Sequence, residues 1–209
     1  MSITKKSILL IFAVLLIDQM SKIFIKLNFA LGESVQVFSW FQILFVENPG
    51  MAFGMEFGGL GGKLFLTIFR ILAVGALAFY IHSLIKNGKR TGYILTISLF
   101  LAGAAGNIFD SIFYGVLFSD SYGMAATFLP ETGGYAPLFY GKVVDMLYFP
   151  LFTFPHWIPF VGGSIFFSPV FNIADSSITI SAIIILLFFR KDLNDSIEKK
   201  NVKTAEIQQ

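Results

Sequence analysis

Four apolar stretches, each close to the length that crosses a bilayer, constrain this chain more than anything else in it. They run at about residues 7–25, 64–85, 93–114 and 171–189. A helix of about 20 apolar residues spans the hydrocarbon core, and only helices and closed barrels satisfy their backbone groups there. Composition agrees. Of 209 residues, 56% are hydrophobic and only 13% charged, with 26 Phe, more apolar side chain than one water-soluble domain of this size can hide. The expectation is one membrane-embedded domain over 1–209, mainly α, with four transmembrane helices.

The first stretch has the basic start of a signal peptide at Lys5 and Lys6, but no small-x-small cleavage pattern follows. Asp18-Gln19-Met20-Ser21-Lys22 comes instead, so the helix is expected to be retained. Lys and Arg set the orientation. Lys5, Lys6, Lys86, Lys89, Arg90, Arg190, Lys191, Lys199, Lys200 and Lys203 all fall on one side. By the positive-inside rule both termini are cytoplasmic, and the segments 27–63 and 115–170 face outward. Residues 35–46 are rich in β-branched and aromatic types and predict a small sheet at the membrane surface. Gly50, Gly54, Gly58, Gly59, Gly61 and Gly62 then read as a flexible link into the second helix. Pro150, Pro155, Pro159 and Pro169 punctuate an aromatic stretch that suits an interfacial or re-entrant segment, with His156 and Trp157 as interfacial anchors. The polar tail from Lys191 is expected to fray.

Without Cys, thiolate catalysis, disulfides and Cys-based metal sites are excluded. His82 and His156 fall on opposite sides, so no metal is expected. A net charge of +2 gives no sign of nucleic-acid binding. What needs explaining is the ionisable set in or beside the spans: Asp18, Arg70, Asp110, Asp145 and Asp175. At 1.5 Å per residue, Asp18 lies about 16 Å and Asp110 about 25 Å above the inner face, and Asp175 about 6 Å below the outer end of its helix. Asn48, Asn107 and Asn172 fall at similar heights. Carboxylates held together share a proton, one acting as base on water and the other as acid, which suffices to cleave an amide. Two other readings use the same residues: a proton- or cation-relaying transporter subunit, and a non-enzymatic assembly factor. The acids cluster at one face and no inverted repeat is visible, which disfavours transport.

Five motifs in order carry a family resemblance. They are Asp18-Gln19-Met20-Ser21-Lys22, Glu47-Asn48-Pro49-Gly50-Met51-Ala52-Phe53-Gly54, Gly103-Ala104-Ala105-Gly106-Asn107-Ile108-Phe109-Asp110, Val143-Val144-Asp145 and Phe171-Asn172-Ile173-Ala174-Asp175-Ser176. Together they resemble lipoprotein signal peptidase, also called signal peptidase II. The resemblance implies a fold with a periplasmic β-sheet cradle and an extracytoplasmic loop or helix, in the bacterial cytoplasmic (inner) membrane. It implies an aspartic endopeptidase, without cofactor, cleaving prolipoproteins before a diacylglyceryl-modified cysteine at the periplasmic face. Its partners would be those precursors, membrane lipids and globomycin-type cyclic peptide inhibitors. The catalytic pair maps to Asp145 and Asp175; Asp18, Lys22, Asn48, Gly50, Asn107, Asp110, Asn172 and Ala174 line or shape the site. Three departures stand out. Ser111 follows Asp110 where the family usually has Arg, residues 116–141 form an insert, and 153–168 add length before Asp175.

Simpler roles accompany these. Asp18 and Lys22 are spaced to pair on one helix face, Asp110 can anchor its helix end, and Arg70 can snorkel or pair with an acid. Asn172 can cap a helix or orient the pair. Gly103 and Gly106 with Ala102, Ala104 and Ala105 make a surface for close helix packing. The insert lies outside every motif, so shortening 118–136 is expected to leave cleavage largely intact.

Overall fold

A computed structural model describes residues 1–49 and 59–196. Gly50 and most of the glycine link lie outside the described residues, as does the tail beyond Ser196. Four Pro-free apolar segments form helices: α1 (Ile3–Asn28), α2 (Gly59–Lys86), α3 (Thr91–Leu117) and α4 (Ile173–Phe188). Between them lie six strands: β1 (Ser34–Phe38), β2 (Phe41–Asn48), β3 (Val143–Tyr148), β4 (Phe152–Thr153), β5 (Ile165–Phe166) and β6 (Val170–Phe171). The protein is a multi-pass membrane protein, mainly helical, with a small antiparallel sheet.

α1, α2 and α3 are each long and apolar enough to cross a bilayer. α4 differs from the expected span at 171–189. It has 16 residues, about 24 Å at 1.5 Å each, short of the roughly 30 Å core. It reaches span length only together with a short helix, Arg190–Ser196, bent away by 88°. The bend is anchored: the Arg90 guanidinium sits 5.0 Å from the Phe189 ring centre and 3.1 Å from the Asp192 carboxylate.

α3 is the central helix, packed against α1, α2 and α4. Half of its most apolar window is buried, against 17% in α1 and 11% in α2. The outer helices instead present Ile8, Phe12, Met20, Phe65, Leu72 and Phe79 at the surface. Such a surface is stable against lipid tails and untenable in water. Small residues let the central packing close. A Cβ on Gly103 would lie 2.3 Å from the Ala174 carbonyl oxygen, and one on Gly106 would lie 2.7 Å from an Asp18 oxygen. The α2–α3 turn ends at Gly88, whose φ of +60° suits a residue without Cβ.

The expected sheet at 35–46 forms as β1 and β2, and it is larger than expected. Its order is β1-β2-β3-β6, all antiparallel, and β3 carries Asp145 opposite Val46. The aromatic stretch after Pro150 folds as the small β4–β5 hairpin, where Trp157 and Phe160 are exposed.

The insert is not the peripheral loop expected. Phe118 and Ala126 are buried in one cluster with Ile25, Phe45, Tyr114, Val144 and Met146. Its backbone bonds back to α1 (Ala126 N–H to Lys26 O, 2.9 Å) and to α3 (Ala136 N–H to Gly115 O, 3.0 Å). Phe118 and Ala126 thus anchor the segment to the core, while Tyr122, Met124, Phe128 and Leu129 stay exposed.

Candidate active site

α1 meets α3 and α4 through charge. Lys22, fully buried, lies 2.9 Å from Asp18 and 2.8 Å from Asp110. Two carboxylates around one ammonium need further donors to be stable away from water, and they have them. Gln19 donates to Asp110 at 2.8 Å and to Asp18 at 3.1 Å. The Val144 N–H reaches Asp110 at 3.3 Å, and the Ala174 N–H reaches Asp18 at 2.9 Å. Ala174 lies in the first turn of α4, so Asp18 complements the positive end of that helix. Asp110 ties β3 to α3, and Asp18 ties α4 to α1. These two acids are brackets that locate the strand and the helix carrying the other two.

Asp145 comes from β3 and Asp175 from the first turn of α4, and Asn172 touches both. Asn172 caps α4: its side chain accepts from the Asp175 N–H at 2.9 Å, and the Asp175 carboxylate accepts from the Asn172 N–H at 3.3 Å. Its amide nitrogen donates to Asp145 at 2.7 Å. Asn172 therefore caps α4 and contacts Asp145 at the same time. Asn107 on α3 donates to Asp175 at 2.7 Å and accepts from Lys22 at 2.9 Å. Asn48, at the end of β2, lies 3.4 Å from the second Asp145 oxygen.

The two carboxyls open into a cavity of about 340 Å³ between α2, α3, α4 and the sheet. Its polar lining is Asn48, Arg70, Asn107, Asp145 and Asp175, and Leu77, Phe100 and Ile178 are among its apolar lining. Burial and the neighbouring Asp175 charge push the Asp145 carboxyl up to about 7, against smaller opposing effects of Lys22, Asn48 and Asn172. Asp145 thus keeps its proton far above the usual carboxylate range. A buried pair of this kind in a cleft has the features of an acid–base site.

The family model described as Signal peptidase (SPase) II matches residues 10–190. The chain belongs to the signal peptidase II family. The lipoprotein signal peptidase of Porphyromonas gingivalis is 49% identical over 190 residues, covering 88% of this chain and 83% of that protein. That of Amoebophilus asiaticus is 37% identical over 191 residues, covering 88% and 77%. A bacterial membrane enzyme solved by the in meso method at 1.9 Å resolution has a TM-score of 0.61 to this chain. It is 28% identical, with 90% of this chain and 94% of that one covered.

Set in this peptidase family, the sequence-picked residues converge well. Asp18, Lys22, Asn107, Asp110, Asn172 and Ala174 form one bonded network around the Asp145–Asp175 pair. Asn48 joins it from the sheet. At Ser111 the hydroxyl bonds back to the Asn107 carbonyl at 3.0 Å, so that position serves its own helix. Sequence reasoning missed three things. Gln19 bridges both bracket acids, and its signal was an amide within a membrane helix beside Asp18. Glu47 takes Lys26 and Lys142 together, with Lys26 also bonded to Ser121 at 2.9 Å and set 4.7 Å from the Tyr135 ring centre. Lys26, a buried lysine near the end of an apolar stretch, was the available clue. Arg70 was read as snorkelling or paired, yet it lines the cavity itself.

Proposed function

We propose that this chain removes signal peptides from prolipoproteins, cutting just before the diacylglyceryl-modified cysteine, with Asp145 and Asp175 as the catalytic pair. One observation carries the reading: two carboxyls from different elements, held by the same Asn172, face a common cavity whose lining is otherwise mostly apolar. The pair shares one proton. The ionised carboxylate takes a proton from a water molecule, whose oxygen attacks the scissile carbonyl carbon. The protonated partner hydrogen-bonds the carbonyl oxygen and gives up its proton as the tetrahedral species forms. As the C–N bond breaks, the carboxyl that took the water proton passes it to the peptide nitrogen. The other carboxylate takes a proton from a hydroxyl of the tetrahedral species, so the pair again shares one proton. The apolar part of the cavity suits the lipid-bearing side of such a substrate, whose acyl chains stay among the helices. Family membership and 49% identity to a lipoprotein signal peptidase support the substrate class.

The same proposal places the protein in the bacterial cytoplasmic membrane with four spans, both termini inside and the pair at the periplasmic face. The lysine and arginine distribution supports this. Globomycin-type cyclic peptides fit the reading as inhibitors occupying the cavity. The decisive experiment is cleavage of a lipid-modified precursor in membranes at matched protein levels. Asp145→Asn and Asp175→Asn should each lose on the order of 10³-fold or more in turnover, and the double variant should be little worse than either. Near-normal turnover in either single variant would sink the assignment. A reporter fused after Gln209 should be active only in the cytoplasm; periplasmic activity would reverse the topology.

A further inference from the structure

Arg70 stands in the middle of α2, flanked on the chain by apolar residues. Its neighbours Phe69 and Leu72 are exposed on the lipid-facing side, at 58% and 68%. Arg70 itself is half-buried and lines the cavity with Asp145 and Asp175. Among the described residues that line the cavity it is the only cation. Its guanidinium is close enough to interact with the Asp175 charge. An ionisable group at this depth is costly, and it persists where it meets an opposite charge or a substrate path. The cavity's two amides are turned to the carboxyls, Asn107 to Asp175 and Asn48 to Asp145. Arg70 brings to the same lining a planar guanidinium with five N–H donors, a fork that can serve more than one acceptor at once.

We propose that Arg70 is a substrate-positioning residue: from the α2 wall its guanidinium donates to backbone carbonyls of the peptide lying between it and Asp175, holding the scissile bond over the pair. This rests on the reading of Asp145 and Asp175 as the catalytic pair. A chain threaded there has the carboxyls on the α4 and sheet side and the cation on the α2 side. The cation also balances the single negative charge that the proton-sharing pair carries in an apolar surrounding. Asp18, Lys22 and Asp110 lie behind the pair, already bonded to one another, on the α1–α3 side.

The test uses the full chain in membranes with a lipid-modified precursor peptide, and reads KM and kcat separately for Arg70→Gln and Arg70→Lys. Loss of backbone positioning should raise KM about tenfold or more and lower kcat/KM by about a hundredfold in Arg70→Gln. Arg70→Lys keeps the charge without the fork and should recover part of the KM. A precursor shortened on one side of the scissile bond should lose the difference between wild type and Arg70→Gln when the missing residues are those Arg70 holds. If Arg70→Gln accumulates normally and leaves both constants within about twofold of wild type, the proposal is wrong. If it fails to accumulate while Arg70→Lys accumulates and shows unchanged KM, Arg70 is structural and the proposal is equally wrong. Activity surviving in Asp175→Asn would instead remove the catalytic pair, a separate failure.

Discussion

At position 145 the protein keeps a carboxyl group that becomes harder to bury as pH rises. Its proton is held up to about 7, against an ordinary value of 3.8, first by burial and then by the Asp175 charge. For an acid whose folded value is raised, the stability it contributes is full below about 4 and is lost as pH climbs through about 7. Asn cannot ionise and escapes that loss. Asp145→Asn should therefore unfold at a higher temperature than wild type at pH 8 while being inactive, with the gap shrinking at pH 5. Thermal unfolding in detergent across that range checks it, and a variant less stable than wild type at pH 8 would count against the buried, proton-bearing carboxyl. With Asp145 as one of the proposed pair, stability and activity would pull in opposite directions at this residue.

Between elements, the contact that aligns the pair is α3 against α4. Gly103 allows it: an added methyl would meet the Ala174 carbonyl oxygen at 2.3 Å and Ile178 Cγ1 at 2.9 Å. The first is backbone, so the helices themselves must move apart. Because Asp175 follows Ala174, that movement displaces one member of the proposed catalytic pair. Gly103→Ala should cost about 1–3 kcal/mol of stability and, through misplacement of Asp175, about a hundredfold in turnover. Parallel measurement of thermal unfolding and precursor cleavage decides it. Full activity in this variant would mean that α3–α4 spacing does not set the dyad geometry. The small-residue face was legible in the sequence as helix packing. Its consequence for catalysis was not, because only the fold sets Asp175 one residue beyond that contact.

Across the whole molecule, the insert and the sheet form one support beneath the site. Ser121 and Tyr135 of the insert surround Lys26, and the Tyr135 hydroxyl accepts from the Lys142 N–H at 2.7 Å. Lys26 and Lys142 converge on Glu47, whose chain neighbour Asn48 touches Asp145. Replacing residues 118–136 by a short linker should expose this charged cluster and the Phe118 core. The expected result is poor accumulation in membranes, or a clearly lower unfolding temperature, with cleavage falling in step. A shortened protein that keeps both its stability and its turnover would show the insert to be dispensable after all.

Much of this was readable from the chain alone, for physical reasons. A lipid solvent demands long apolar helices, so the rough places of the four helices follow from local composition, while the shortness of α4 and the bend after it do not. Ionisable residues inside such helices are rare enough to mark the site, which is how Asp18, Asp110 and Asp175 declared themselves. Asp145, Asn48, Asn107 and Asn172 fell beside them by position, and the motifs then singled out Asp145 and Asp175 as the pair. The resemblance also divided the four acids, Asp145 and Asp175 as the pair and Asp18 and Asp110 as residues shaping the site, but which groups hold each of them was beyond that reach. Asp18 and Asp110 became brackets because Lys22, Gln19 and the N–H groups of Val144 and Ala174 converge on them. Asp145 and Asp175 became the open pair because their carboxyls face a cavity. Arg70 looked like any costly membrane arginine until α2 was packed beside that cavity. The insert looked disposable because it lies outside every motif, and only the fold brings Phe118 and Ala126 into the core. Linear sequence specifies what each segment prefers to contact, water or lipid, and the tertiary structure alone decides which distant groups share a partner and which are left facing space.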